Sequence, residues 1–424
     1  MKTKLFKNKA YSQLFWGKFI SDIGSQFYLF SLSWYFLDLT ESAVVVGYFL
    51  SFRLLLYIIS APIGGIISDR LDRIKLLVIC DYIRGFVILA TFGIVMKTQN
   101  QDMILASFYI ATFIHGICDA LFIPSSTAAI RFVIDKDDLV EGYSVIYMIN
   151  SVKRILGIMF AGIIYALINI EGILVLNGMS FIISALFESR INVDTKEKHD
   201  EEFKFKTIIR DFKIGCKCLL GLKALTWILF ISLFSNFIYE PLARNGFTYF
   251  FNQVAQTSPA FLSFAAAMTS LGSIAMTQWI KKRDINDLFA HYYSGISFKT
   301  MYIVALSANF IVYMMFNGNF IVFFAIHVAL LFLDGAIGVY INVPISVFMQ
   351  REVPSNMIGK VDSFVTTFSM AIMPFSTLMG SYVIDEFGFW VLVMVVSIMS
   401  SVLWIVMSIC KKYTFSCTKC GEDI

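Results

Sequence analysis

The sequence predicts an all-α integral membrane protein of about twelve transmembrane helices, about six on either side of a central polar stretch. Composition, the number of long apolar runs and the sidedness of lysine and arginine carry that expectation. Hydrophobic residues fill 58% of the 424 positions and charged residues only 15%. A soluble domain averages roughly 45–50% apolar and about 25% charged. A soluble fold holding 43 phenylalanines could not cover itself with polar groups, so the excess is expected to face lipid. The net charge of +4 gives no reason to expect a nucleic-acid partner.

The N-terminus, "MKTKLFKNKAYSQLFW", is basic and then apolar, as a signal peptide begins. No small-residue cleavage site follows a short apolar core. The run continues through "GKFISDIGSQFYLFSLSWYF", a full span that is expected to be retained. About 20 apolar residues cross the hydrocarbon as a helix. Such segments centre near Gln26, Leu55, Phe86, Ile114, Leu156 and Phe181 in the first half. In the second they centre near Ser235, Ala267, Ala305, Leu331, Ser369 and Val396. They are too long for barrel strands, and backbone in lipid must bond internally, so they read as helices.

Basic residues orient the spans. With the N-terminus inside, the inner segments are 1–12, 69–75, 131–141, 189–223, 281–288, 350–360 and the tail. They hold 26 of the 34 lysines and arginines, whereas the outer loops hold only Lys97 and Arg244. The asymmetry predicts both termini in the cytoplasm. The polar stretch "ESRINVDTKEKHDEEFKFKTIIRDFKIGCKC" divides the chain. The expected domains are an N-terminal bundle over 1–190, a cytoplasmic loop over 191–222, a C-terminal bundle over 223–410 and a tail over 411–424. Two similar halves are a common transporter plan. "IRFVIDKDDLVEGYS" and "MQREVPSNMIGKVDSF" share a polar turn followed by a small-residue-rich helix.

The hinge "APIGGIISDRLDRIKLL" packs Asp69, Arg70, Asp72, Arg73 and Lys75 between two apolar runs. Mixed charge can cap both helix ends and pin neighbouring helices. Gly64 and Gly65 permit close helix approach. A short inner loop accounts for bases on sidedness alone, but not for the acids, nor for the Gly-x-x-x-Asp-Arg-x-x-Arg-x-Lys spacing from Gly65 to Lys75.

That spacing resembles the signature loop of the major facilitator superfamily. "GKFISDIGSQF", "PIGGIISDRLDRIKLLVICDYIRG", "FIPSSTAAIRFVIDKDDLVEGYS" and "MQREVPSNMIGKVDSF" look like segments of its bacterial efflux branch, which contains macrolide and siderophore exporters. The resemblance covers nearly the whole chain, most weakly over 189–223 and the last residues. It implies the major facilitator fold, two six-helix bundles around a central cavity open to one side at a time. It also implies that Asp69 helps hold the inner gate closed, with Gly65, Arg70, Arg73 and Lys75 completing the loop. Two positions depart from the efflux pattern. Thr112 stands where the branch often has arginine, with His115 just before Gly116. The fifth span carries Gly157, Ala161 and Gly162 with no proline. The direction of transport and the use of protons stay open at this point.

Ionisable groups at membrane depth are costly and mark pathways. Lys18, Asp81 and Arg84 lie within a turn or two of the inner surface and can snorkel or pair. Lys153 and Arg154 are adjacent and cannot share a face. Asp22, Asp119, Glu240 and Asp334 are the proton-coupling candidates, because a carboxyl in a dry site can load and release a proton near neutral pH. Arg53 and Arg154 are their candidate charge partners. The plain alternative is that each acid simply pairs with a cation or a backbone donor. Glu240 precedes Pro241, where the helix is expected to break, and Asp334 sits in the glycine-rich "LFLDGAIG". Many aromatics are candidates to line a cavity, but most must be core or lipid-facing.

No catalytic constellation, phosphate-cradling loop or metal-ligand spacing stands out, so no enzyme activity and no cofactor are expected. "CTKC" at Cys417 to Cys420 and "CKC" at Cys216 to Cys218 have zinc-like spacing, but free thiols are the expected state. The functional expectation is a secondary transporter in a bacterial cytoplasmic membrane. It would exchange protons or another ion for an exported hydrophobic or amphipathic small molecule, and work as a monomer. Uptake of a nutrient, and a non-transport scaffold, are the alternatives.

Overall fold

Several helices start where a short polar side chain satisfies the first free N–H groups, as Asn8, Ser42, Asp72, Asn100 and Asn319 do. In the computed structural model, which describes residues 4–134, 139–193, 195, 223–280, 288–315, 319–353 and 358–417, α1 spans Lys9–Thr40 and is capped by Asn8. The Asn8 side chain accepts from the amides of Ala10 and Tyr11, and its Nδ2 donates to the Val133 carbonyl at 2.6 Å. One residue thus closes the start of α1 and the end of α4. Helices α2 (Ala43–Arg70), α3 (Arg73–Lys97) and α4 (Gln101–Val133) begin at caps Ser42, Asp72 and Asn100. Helix α5 covers Leu139–Glu188 but breaks at Asn169, whose φ of 52° and ψ of −171° are non-helical. The break makes two membrane-length legs of one element.

Beyond the polar central stretch, α6 (Lys223–Pro241) continues without interruption through π-helical turns at Leu242–Gly246 and Phe250–Val254. Pro241 therefore does not break the span, contrary to the sequence expectation. The wider π turns carry the chain past the lost amide, and Gly380 makes room for the ring. Helices α7 (Pro259–Ile280), α8 (Leu288–Met315), α9 (Phe320–Glu352), α10 (Ile358–Ala371), α11 (Met373–Phe387) and α12 (Phe389–Cys417) complete the chain. Among the described residues, ten segments are long and apolar enough to cross a membrane. Helix α1, less apolar but 32 residues long, makes eleven. Dividing α5 at Asn169 makes twelve, consistent with the count expected. Helices α10 and α11 together form one span.

The chain clusters into two units, Met1–Phe203 with Phe251–Phe264, and Lys204–Phe250 with Ala265–Ile424. In the first, α1 lies along α5, α3 packs on α4 and α5, and α2 packs on α4. Gly64 of α2 sits directly against the Ala120 carbonyl of α4, where any Cβ would collide with backbone. In the second, α8 packs on α9 and α12, and α6 packs on α10 and α11.

Candidate transport site

The signature hinge is tighter than the sequence implied. Helix α2 runs through Arg70 and α3 starts at Arg73, so only Leu71 and Asp72 lie outside helix. Asp72 is the α3 cap, accepting from the amides of Ile74 and Lys75, with the exposed Lys75 ammonium 3.7 Å away. Arg73 is fully buried. Its amide donates to Thr195 Oγ1 at 2.8 Å and its Nη1 to the Thr195 carbonyl at 2.6 Å, while Thr195 Oγ1 donates to Asp72 at 2.8 Å. The guanidinium lies 5.1 Å from the Phe132 ring. The hinge is thereby stapled to the segment that follows α5. The side chains of Gly65, Asp69, Arg70 and Arg154 lie outside the described residues, as does the tail from 418.

Arginine 84 organises the charges of the first unit. Its guanidinium bonds Asp81, one turn before it on α3, and donates through Nη1 to Asp119 of α4 at 2.7 Å. The rings of Phe122 and Phe181 lie 4.1 Å and 4.6 Å from it, so the cation is bonded in its plane and covered on its faces. Asp22 pairs with Lys18 at 3.5 Å, one turn away on α1. Arg53 of α2 is within electrostatic reach of Asp119. Asp22 and Asp119 thus have cationic partners on their own and a neighbouring helix, respectively.

Glu240 bonds Arg244 one turn along α6. Arg244, assigned to an outer loop on sidedness alone, is in fact part of this continuous helix.

Asp334 is placed differently. On α9 it takes Lys299 of α8 on one oxygen and the Tyr239 hydroxyl of α6 on the other, at 3.2 Å. Tyr239 and Tyr302 share a hydrogen bond of 2.9 Å, and the Lys299 ammonium lies 3.6 Å from the Tyr239 ring and 5.0 Å from that of Tyr302. Gly335, next in the chain, rests against the Thr269 carbonyl of α7, which brings α9 close enough to hold the cluster. Tyr239 and Lys299 both line a cavity of about 240 Å³ within the second unit. Ser232, Asn236, Asn342 and Ser369 make its wall partly polar, and Ile228, Ile341 and Ile345 make it partly apolar.

Sequence reasoning missed Lys299, although it is the one lysine or arginine of the span Ala290–Met315. That isolation was the available signal. Nothing in the sequence pairs Tyr239 with Tyr302.

Comparison with known proteins agrees with this architecture. The Major Facilitator Superfamily profile matches residues 14–377. Macrolide efflux protein A of Streptococcus pyogenes is 22% identical over 384 residues, covering 88% of each chain. The uncharacterized MFS-type transporter YkuC of Bacillus subtilis is 25% identical over 238 residues, about half (53%) of either chain. The putative bacilysin exporter BacE of the same organism is 27% identical over 157 residues, 37% of each. Among solved structures, the nucleoside transporter NupG superposes with a TM-score of 0.71 at 14% identity, covering 95% of this chain and 99% of that one. A bacterial homologue of the iron transporter ferroportin gives 0.70 at 11% identity, covering 94% and 98%. With most of its length matched by the family profile and its helices following the same fold, the chain belongs to the Major Facilitator Superfamily and is a multi-pass membrane transporter of small molecules, not an enzyme.

Proposed function

We propose that this transporter exports a hydrophobic or amphipathic small molecule bearing a positive charge, in exchange for protons, with Asp334 as the carboxylate both compete for. The carrying observation is that Asp334 is held by two residues, Lys299 and Tyr239, that line a part-polar, part-apolar cavity. One carboxylate then has three mutually exclusive partners. At rest it pairs with Lys299. In the substrate-loaded form a cationic group replaces the ammonium, against Tyr239 and Tyr302, whose faces already accept a cation. In the proton-loaded form the neutral carboxylic acid holds neither cation strongly. Mutual exclusion at one group is the minimal requirement for antiport.

The similarity to an efflux protein and a putative exporter supports export. The working unit is a monomer in a bacterial cytoplasmic membrane with both termini inside. Asp69 helps hold the inner gate closed, with Gly65, Arg70, Arg73 and Lys75 completing the loop, and Arg53 is a charge partner of Asp119.

The test is ethidium flux in inside-out vesicles with an acidic lumen, comparing the wild type with Asp334→Asn. Accumulation that needs the gradient and vanishes in the variant supports the reading. Gradient-driven accumulation unchanged by the variant removes Asp334 from the proton path. No ethidium or macrolide accumulation by folded, inserted protein sinks broad export and favours a narrow substrate or uptake.

A further inference from the structure

Glu188 lies in the first unit, apart from the Asp334 cavity. It is the last residue of α5, fully buried, with its side chain packed 3.3 Å from the Cβ position of Gly17 on α1. Neither carboxyl oxygen has a hydrogen-bond partner among the described residues. A buried ionised carboxylate without donors is among the least tolerable groups in a protein interior. Its position makes ionisation harder still, because the C-terminal end of a helix carries partial negative charge.

The surrounding charges do not compensate. Asp81 and Arg84 on α3 and Lys18 and Asp22 on α1 are within electrostatic reach of Glu188. Asp119 and Arg53 join through Arg84. Lys18, Arg53 and Arg84 already balance Asp22, Asp81 and Asp119, three against three. An ionised Glu188 would be a surplus negative charge. Glu188 also sits at one end of a polar seam between α1 and the second leg of α5. Asn177 and Ser180 of α5 flank Gly24 of α1, and the Asn177 amide and the Tyr28 hydroxyl are likewise buried without partners among the described residues.

We propose that Glu188 is a second proton-binding site, holding its proton as a carboxylic acid in this conformation and releasing it to water when α1 and the second leg of α5 part. The step is COOH to COO⁻ plus one proton delivered to water, with no other reactant. The released charge then opposes re-closure of the seam until a proton returns, which ties the α1–α5 contact to pH. The consequence for transport rests on the proton-coupled reading above, but the protonation itself does not.

Infrared difference spectroscopy of the protein in nanodiscs tests it directly. The expected result is a protonated-carboxyl stretching band at neutral pH that is lost reversibly at alkaline pH and absent in Glu188→Gln. Glu188→Asp, which shifts the band rather than abolishing it, serves if the glutamine variant does not fold. A spectrum at neutral pH with no band sensitive to either substitution overturns the proposal, as does a Glu188 band that persists unchanged to strongly alkaline pH. Asp334→Asn is the control: it tests the transport reading and leaves the Glu188 band in place, so the two ideas fail separately.

Discussion

Lys299 of α8 and Tyr239 of α6 grip opposite oxygens of Asp334 on α9, so three helices of the second unit meet at one carboxylate. Removing either member of the ion pair strands the other charge in a largely buried setting. Lys299→Met and Asp334→Leu are each expected to cost about 3–5 kcal/mol, and the double variant to recover most of it. Thermal unfolding of the three proteins in nanodiscs measures this. Additive losses in the double variant would show that the two residues are not energetically paired.

Tyr239→Phe keeps the ring beside Lys299 and removes only the hydroxyl. The carboxylate loses one donor, a bond to a charged group worth about 1.5–3 kcal/mol. A fall in the apparent affinity for ethidium of about tenfold, with the protein still folded, is expected from direct binding titration. Equal affinity would place the cation away from Asp334.

Arg84→Lys is expected to destabilise the first unit by about 2–4 kcal/mol despite keeping the charge. A lysine cannot bond Asp81 and Asp119 together or lie flat between Phe122 and Phe181. Chemical denaturation followed by tryptophan fluorescence gives the difference, and a loss within error of zero would reduce the network to a surface-like pair.

Thr195→Val leaves the buried Arg73 amide without its acceptor and removes one of the donors to Asp72. The expected loss is about 1–3 kcal/mol, while Thr195→Ser, which keeps the hydroxyl, should stay near wild type. Melting temperatures of the pair separate a hydrogen-bond staple from simple packing.

Two glycines on neighbouring helices should respond oppositely. Gly64→Val drives a side chain into the Ala120 backbone, so little folded protein is expected. Gly93→Ala on α3 meets nothing within 4 Å and should stabilise by about 0.5–1 kcal/mol through helix propensity. Yield and melting temperature after purification check both.

The spans were readable because lipid imposes a crude rule on every residue at once. All twelve segment centres, from Gln26 to Val396, fall within helices. The site was less legible. Asp334 stood out as an acid in a greasy helix, and so did Asp22 and Asp119, which the fold gives to Lys18 and Arg84. Lys299 passed unremarked because its partner is 35 residues away on another helix. Nothing in the sequence marks Glu188, since burial at a helix end depends on what packs over it.

That the chain crosses the membrane about a dozen times as helices follows from the amino-acid order alone, because apolar length and the need to bond the backbone internally are local properties. The Asp72 hinge and the family are also marked there, through residues close together in the chain. Which buried charges meet is settled by packing: Arg84 with Asp119, Arg73 with Thr195, Lys299 with Asp334, and Glu188 with no hydrogen-bond partner among the described residues. The cost of a charge in a dry interior is set by the atoms within a few ångströms, and those atoms come from helices whose packing no local pattern specifies.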